Sequence, residues 1–176
     1  MLVQSVLFSK EECDHIIGLS DKYSLGGSNG RYDNIENFKY KYYTIDKYAD
    51  TEWIIKRLFD FFEYEKKLKI YPRNFKLNMH HYTVGDQFGK HIDTGYPIKE
   101  WNIGIQLNDN YTGGNYNIYD TSDNPVQIDK KTGNVSIYQS QTPHEVTPVI
   151  EGERWSIAVF ATKNNVYSDL SIKSII

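Results

Sequence analysis

Apolar positions follow two different spacings along this chain, and the change falls near residue 70. Residues 2–8 predict a short strand. Ser9 then stands as an N-cap, with Glu12 three positions on to complete a capping box. The helix they open runs to about Lys22 and buries Cys13, Ile16, Ile17 and Leu19. Residues 26–37 are polar and rich in turn formers, which predicts a loop. Residues 38–45, FKYKYYTI, predict a strand. A longer helix starts at Asp50 or Thr51 and runs to about Leu68, with Trp53, Ile54, Leu58, Phe61 and Phe62 on one face.

From Phe75 onward helical periodicity disappears, and short alternating stretches separated by turns take over. They fall at 75–83, 88–93, 101–107, 115–119, 126–129, 135–138, 144–149 and 154–162. Strands of this length and spacing predict a two-sheet sandwich or jelly roll, with the helices covering the outer face of one sheet. A chain of 176 residues then reads as one domain, 1–176, in which residues 1–70 support a core spanning 75–163.

Composition narrows the function classes. A net charge of -3 and a pI near 5.9 argue against a nucleic-acid partner, which needs a basic face. The pairs Lys66-Lys67 and Lys130-Lys131 read as solvated surface. The single cysteine, Cys13, cannot form an internal disulfide and fits a reducing compartment. No apolar run is long enough to span a membrane, and the first residues lack the marks of a secretory signal, so a cytoplasmic location is expected. The 15 tyrosines suit a β-rich protein with a lined pocket, since each buries a ring and keeps a polar tip.

Candidate chemistry centres on His91-Ile92-Asp93. An i, i+2 pair on a strand points both side chains to one face, so an imidazole and a carboxylate converge. His144 follows on a later strand. Two histidines and one carboxylate with open positions opposite them make the facial triad of non-haem Fe(II) oxygenases. Arg154 lies downstream; its planar, permanently charged fork matches a carboxylate. Ser156 shares its strand face and adds a hydroxyl.

These residues stand in an order that resembles a known family. Tyr82, a two-residue gap to Gly85, Phe88, His91-x-Asp93, His144 in a His-x-Val-x-Pro-Val setting and the basic Arg154 all occur in sequence. Residues 75–163 are similar to the prolyl 4-hydroxylase-like branch of the Fe(II)/2-oxoglutarate-dependent dioxygenases. The opening Phe8-Ser9-Lys10-Glu11-Glu12-Cys13 resembles that family's entry helix.

The resemblance implies a mainly β fold with supporting helices: a double-stranded β-helix, or cupin-like jelly roll. It implies that His91, Asp93 and His144 bind Fe(II), and that Arg154 holds the distal carboxylate of 2-oxoglutarate. O2 is the second cosubstrate, with ascorbate as reductant. Tyr82 would face the cofactor pocket with His80 beside it, while His81 points away. Asn102, Gly104 and Gln106 would face the site, Gln106 as a second contact for the cosubstrate carboxylate.

Retention of Asp93 favours hydroxylation, because related halogenases lack the carboxylate. The implied substrate is a prolyl residue in a peptide or protein; a free amino acid or small metabolite is the alternative. Arg154 stands where many collagen-type enzymes carry Lys, which weakens a collagen-like substrate. Nucleic-acid demethylases have a further Arg six residues on, where this chain has Phe160. An inactive jelly-roll binding module is disfavoured by the intact ligand set. Substrate contacts are expected from loops 23–37 and 94–100, with Tyr96 and Trp101 as aromatic walls.

Overall fold

The computed structural model describes residues 2–23, 25–26, 38–45, 48–68, 71–72, 77–93 and 101–162. Its first part runs β1 (Leu2–Val6), α1 (Lys10–Gly18), a 3-10 turn (Leu19–Lys22), β2 (Leu25–Gly26), β3 (Phe38–Lys39), β4 (Lys41–Ile45) and α2 (Tyr48–Asp60). A π-helical turn (Phe61–Glu65) ends α2, before β5 (Tyr71–Pro72), β6 (Leu77–Tyr82) and β7 (Gln87–His91). Then come β8 (Trp101–Gln106), β9 (Thr112–Gly113), β10 (Tyr116–Tyr119) and β11 (Pro125–Gln127). The last are β12 (Asn134–Gln139), β13 (His144–Val146), β14 (Val149–Glu151) and β15 (Arg154–Thr162).

The larger sheet has the order β1-β12-β8-β15-β6-β4-β2, with β5 beside β15. The smaller is β11-β10-β13-β7-β3, and β14 pairs β9 separately. All the described strand pairs are antiparallel. The fold is the expected jelly roll.

Strand parity decides where the core sits. On the larger sheet Leu77 and Met79, Ile103 and Ile105, Val135 and Ile137, and Ile157 and Val159 pack with Cys13 and Ile16 of α1 and Ile54 and Leu58 of α2. The opposite parity is polar: Asn78, His80, Asn102, Gln106, Arg154 and Ser156 line the space between the sheets. The main apolar core therefore lies outside the jelly roll, under the helices, and the interior is left for chemistry. The capping box forms as expected, with Glu12 N donating to Ser9 Oγ at 3.2 Å and Ser9 N to Glu12 Oε2 at 2.9 Å. Arg57 reaches the same Glu12 at 2.6 Å and ties α2 to the start of α1. Among the described residues no helix is long and apolar enough to cross a membrane.

Two predicted strands turn out to be corners. Residues 38–45 divide at Tyr40: β3 pairs β7 in the smaller sheet, and β4 pairs β6 in the larger. Tyr40 is buried at the junction, its ring 5.1 Å from Tyr82 and 5.3 Å from Phe88. Residues 144–149 break at Thr147-Pro148, where proline has no N–H to give to a ladder.

Between β6 and β7 the chain turns at Thr83-Val84-Gly85-Asp86, with Asp86 N donating to Thr83 O at 2.8 Å. Gly85 has φ +83, which explains glycine at this point of the motif. The Asp86 carboxylate accepts from Thr83 N and Thr83 Oγ1, both at 2.8 Å, and pairs with Lys39 at 3.0 Å. Burial pushes its pKa up, but these partners outweigh burial and hold it below the usual carboxylate value. A depressed folded pKa means that the stabilisation is present above the unfolded carboxylate pKa and is lost as pH falls through the folded one. Asp86→Asn is expected to cost about 1–3 kcal/mol near neutrality. Urea unfolding at stepped pH should show the gap to wild type closing in acid.

Candidate functional site

β7 and β13 lie side by side in the smaller sheet, with His91 opposite His144. Their ring centroids are 4.2 Å apart. His91 Nδ1 bonds Gly89 O at 2.8 Å and His144 Nδ1 bonds Thr142 O at 2.9 Å. Donation to a carbonyl puts the proton on Nδ1 and makes Nε2 the lone-pair nitrogen of each ring. The Phe88 ring lies 3.9 Å from His91 and limits its rotation.

Asp93 arrives differently from the expected i, i+2 geometry. β7 ends at His91, and Asp93 N donates to Ser140 O at 3.2 Å, which ties the chain to the connection between β12 and β13. Its Oδ2 lies 3.5 Å from His144 Nε2. One ligand atom from each of His91, Asp93 and His144 falls within 4.8 Å of the others. Two imidazole nitrogens and one carboxylate oxygen at that separation suit a divalent first-row metal.

A second pole is built on the larger sheet. Arg154 opens β15 and is 2% exposed. Its Nη1 donates to Ser156 Oγ at 2.7 Å and its Nη2 to Gln106 Oε1 at 3.2 Å. The guanidinium stands 5.1 Å from the Tyr82 ring and 5.7 Å from that of Tyr116. Gly114, at φ +54, passes so close that a Cβ there would meet Arg154 Cδ at 3.2 Å. Nε is buried and unbonded among the described residues, and no described carboxylate pairs with this cation. A buried charge without a counter-charge costs several kcal/mol, so the place is made for an anion. Both poles open on one cavity of about 580 Å³.

Residues 77–162 match the model of the 2OG-Fe(II) oxygenase superfamily. The chain belongs to that superfamily. It is an oxygenase, and its family implies Fe(II), 2-oxoglutarate and O2. Solved structures share its fold. An oxidoreductase of the 2OG-Fe(II) oxygenase family from Burkholderia pseudomallei has a TM-score of 0.71 at 19% identity, over 93% of this chain and 86% of its own. A prolyl-4-hydroxylase from Pseudomonas putida gives 0.71 at 14% identity, over 93% of both chains. A prolyl hydroxylase from Trichoplax adhaerens, bound to a peptide fragment of the hypoxia inducible factor oxygen degradation domain, gives 0.70 at 20% identity, over 93% and 83%. No curated protein matches the chain.

The oxygenase's own residues fit the groups its family implies. The His-Asp-His donors are compact, and Arg154, without a carboxylate partner among the described residues, is suited to one carboxylate of a dicarboxylate. Tyr82 and Tyr116 are pushed up by burial, so both phenols stay protonated. His80 lines the cavity, its ring 4.8 Å from Tyr40. Burial first, then the nearby Arg154 charge, push its pKa down to about 3, which keeps it neutral. His81 points the other way as expected, stacked on Trp155 at 3.9 Å and bonded to Glu153 at 3.1 Å.

Trp101 requires a correction. It does not wall the cavity but is 4% exposed in the core with Ile103 and Ile105, because it shares their parity on β8. Tyr96 and residues 94–100 lie outside the described residues, as do 27–37 of the first loop. Tyr40, Tyr116 and Tyr138 line the cavity without having been singled out from sequence. Parity held a signal for one of them: Tyr138 alternates with Val135 and Ile137 and so shares the inner face.

Proposed function

We propose that this oxygenase hydroxylates an aliphatic C–H bond of a prolyl residue in a peptide or protein. One oxygen atom of O2 enters the C–OH group, the other enters succinate, and 2-oxoglutarate loses CO2. The observation that carries this reading is the shared cavity, with the His91, Asp93 and His144 donors at one pole and, at the other, the Arg154 charge, which has no carboxylate partner among the described residues.

In this reading His91, Asp93 and His144 hold Fe(II), and Asp93 offsets part of the metal's charge. Arg154 binds the distal carboxylate of 2-oxoglutarate, with Ser156 and Gln106 fixing the guanidinium plane and Tyr82 adding a hydroxyl donor. When bound, the iron supplies O2 activation and the oxidation of the C–H bond. The protein binds, orients and shields the reactants. A neutral His80 adds no second positive charge that would draw the carboxylate from Arg154. Ascorbate serves as reductant, and a lone cysteine supports a cytoplasmic location. Residues 1–176 act as one domain, since α1 and α2 complete the core of the larger sheet.

Support for prolyl hydroxylation comes from the fold neighbours. Besides the two already named, a viral collagen prolyl hydroxylase from Paramecium Bursaria Chlorella virus-1, solved as a 2-oxoglutarate complex, has a TM-score of 0.67 at 15% identity, over 91% and 94% of the chains. The test is succinate release with Fe(II), 2-oxoglutarate and a panel of proline-containing peptides, with products read by mass spectrometry. A gain of one oxygen on proline is the expected result. Hydroxylation confined to free amino acids would replace the peptide reading, and no turnover together with no keto-acid binding would overturn the activity.

A further inference from the structure

Asn102 stands on the inner face of β8, is 4% exposed, and no part of the proposed reaction uses it. Its Nδ2 donates to Asp93 Oδ2 at 2.6 Å. The same Nδ2 lies 3.4 Å from the Tyr138 hydroxyl, which is closely bonded in turn to the Tyr116 hydroxyl. The Tyr138 and Tyr116 rings stand 5.3 Å and 6.1 Å from His144. Asn102 Oδ1 is buried and has no partner among the described residues. A buried amide with one unmet acceptor is costly. The amide is oriented to serve Asp93, since the flipped form would set oxygen against oxygen.

The location matters because Asp93 has left its strand. β7 fixes His91 and β13 fixes His144 through ladder bonds and carbonyl-held rings, whereas Asp93 lies beyond β7 with a backbone bond to Ser140. A carboxylate on such a segment is not set in place by a strand ladder, as the two imidazoles are. The bond from Asn102 ties this carboxylate to β8 of the larger sheet.

We propose that Asn102 is a positioning residue for the metal carboxylate: it holds Asp93 Oδ2 so that the carboxylate meets the ion in one orientation, with Tyr138 and Tyr116 bracing the amide. This rests on the iron-site reading above and adds a residue to it. Partners of metal ligands typically contribute about 10–100-fold in affinity. Asn102→Leu keeps the number and branching of the side-chain heavy atoms and drops the donor. Mn(II) titration of the purified chain by calorimetry, under exclusion of other metals, should show affinity reduced about 10–100-fold in the variant. The thermal midpoint without metal should stay close to wild type.

Asn102→Ala gives a second variant that avoids apolar bulk should the leucine form fail to fold, with the same loss expected. Tyr138→Phe should weaken Mn(II) binding less, and its effect should shrink in the Asn102→Leu background. The anaerobic Fe(II)–2-oxoglutarate absorption band should also shift in both Asn102 variants, a change that a merely structural role does not produce. If folded Asn102 variants bind Mn(II) as tightly as wild type and keep the band unchanged, the proposal is wrong. If the wild-type chain itself binds no Mn(II) and gives no band, the iron-site reading fails instead.

Discussion

Arg154→Met is expected to abolish 2-oxoglutarate binding while leaving the cosubstrate-free protein about as stable as wild type. The guanidinium is buried, bonded to Ser156 and Gln106, and lacks a carboxylate partner among the described residues. Truncating one member of a buried, hydrogen-bonded charge pair costs about 2–5 kcal/mol of binding, or roughly 30- to 4,000-fold in affinity. Without cosubstrate the balance reverses in sign. Replacing a buried charge with an apolar side chain of similar volume is often neutral or stabilising by about 1–4 kcal/mol. Against that, Gln106 Oε1 and Ser156 Oγ each lose a donor, at about 1 kcal/mol apiece.

Thermal unfolding with and without 2-oxoglutarate in the presence of Mn(II) reads both halves. Wild type should gain stability from the keto acid, and the variant should gain none. Arg154→Lys retains the charge without the two-pronged geometry, so it should bind with intermediate affinity. A variant that unfolds without cosubstrate present would mean that Arg154 holds the sheet rather than an anion.

Asp93→Ala is the second large effect. It removes one ligand and the only carboxylate of the candidate cluster. Since even a ligand's hydrogen-bonding partner contributes about 10–100-fold, loss of the ligand itself should exceed about 100-fold in Mn(II) affinity and eliminate hydroxylation. The fold should survive, because Asp93 sits after β7 rather than within a ladder. Calorimetry and succinate release check the two outcomes. Turnover near the wild-type rate in Asp93→Ala would remove this carboxylate from the metal site.

Much of this was legible from residue parity. The alternation along β6, β8 and β15 separated Leu77, Ile103 and Ile157 from His80, Gln106 and Ser156, and the structure puts the second set on the cavity. Parity tells which residues share a face; it does not tell where a strand changes sheets. The split at Tyr40 depends on rings from β6 and β7 stacking around one tyrosine, a contact between segments about 40 positions apart. The same limit hid the Asn102–Asp93 bond, which joins β8 to the segment that follows β7.

Trp101 shows parity overruled for a weaker reason. Its alternation with Asn102 assigned it to the core beside Ile103, while nearness to loop 94–100 made it a substrate wall. The structure follows the alternation. Burial of a large apolar ring outweighs proximity in sequence to a loop.

The most direct test of the central claim is an anaerobic titration of the wild-type chain with Fe(II) and 2-oxoglutarate, followed by visible absorption. A metal held by His91, Asp93 and His144, with the keto acid anchored on Arg154, should produce a weak charge-transfer band that saturates with both components. His144→Ala should lose the band with the iron, and Arg154→Met should lose it with the keto acid. A folded, iron-loaded wild-type sample that shows no band at saturating 2-oxoglutarate would contradict the joint site.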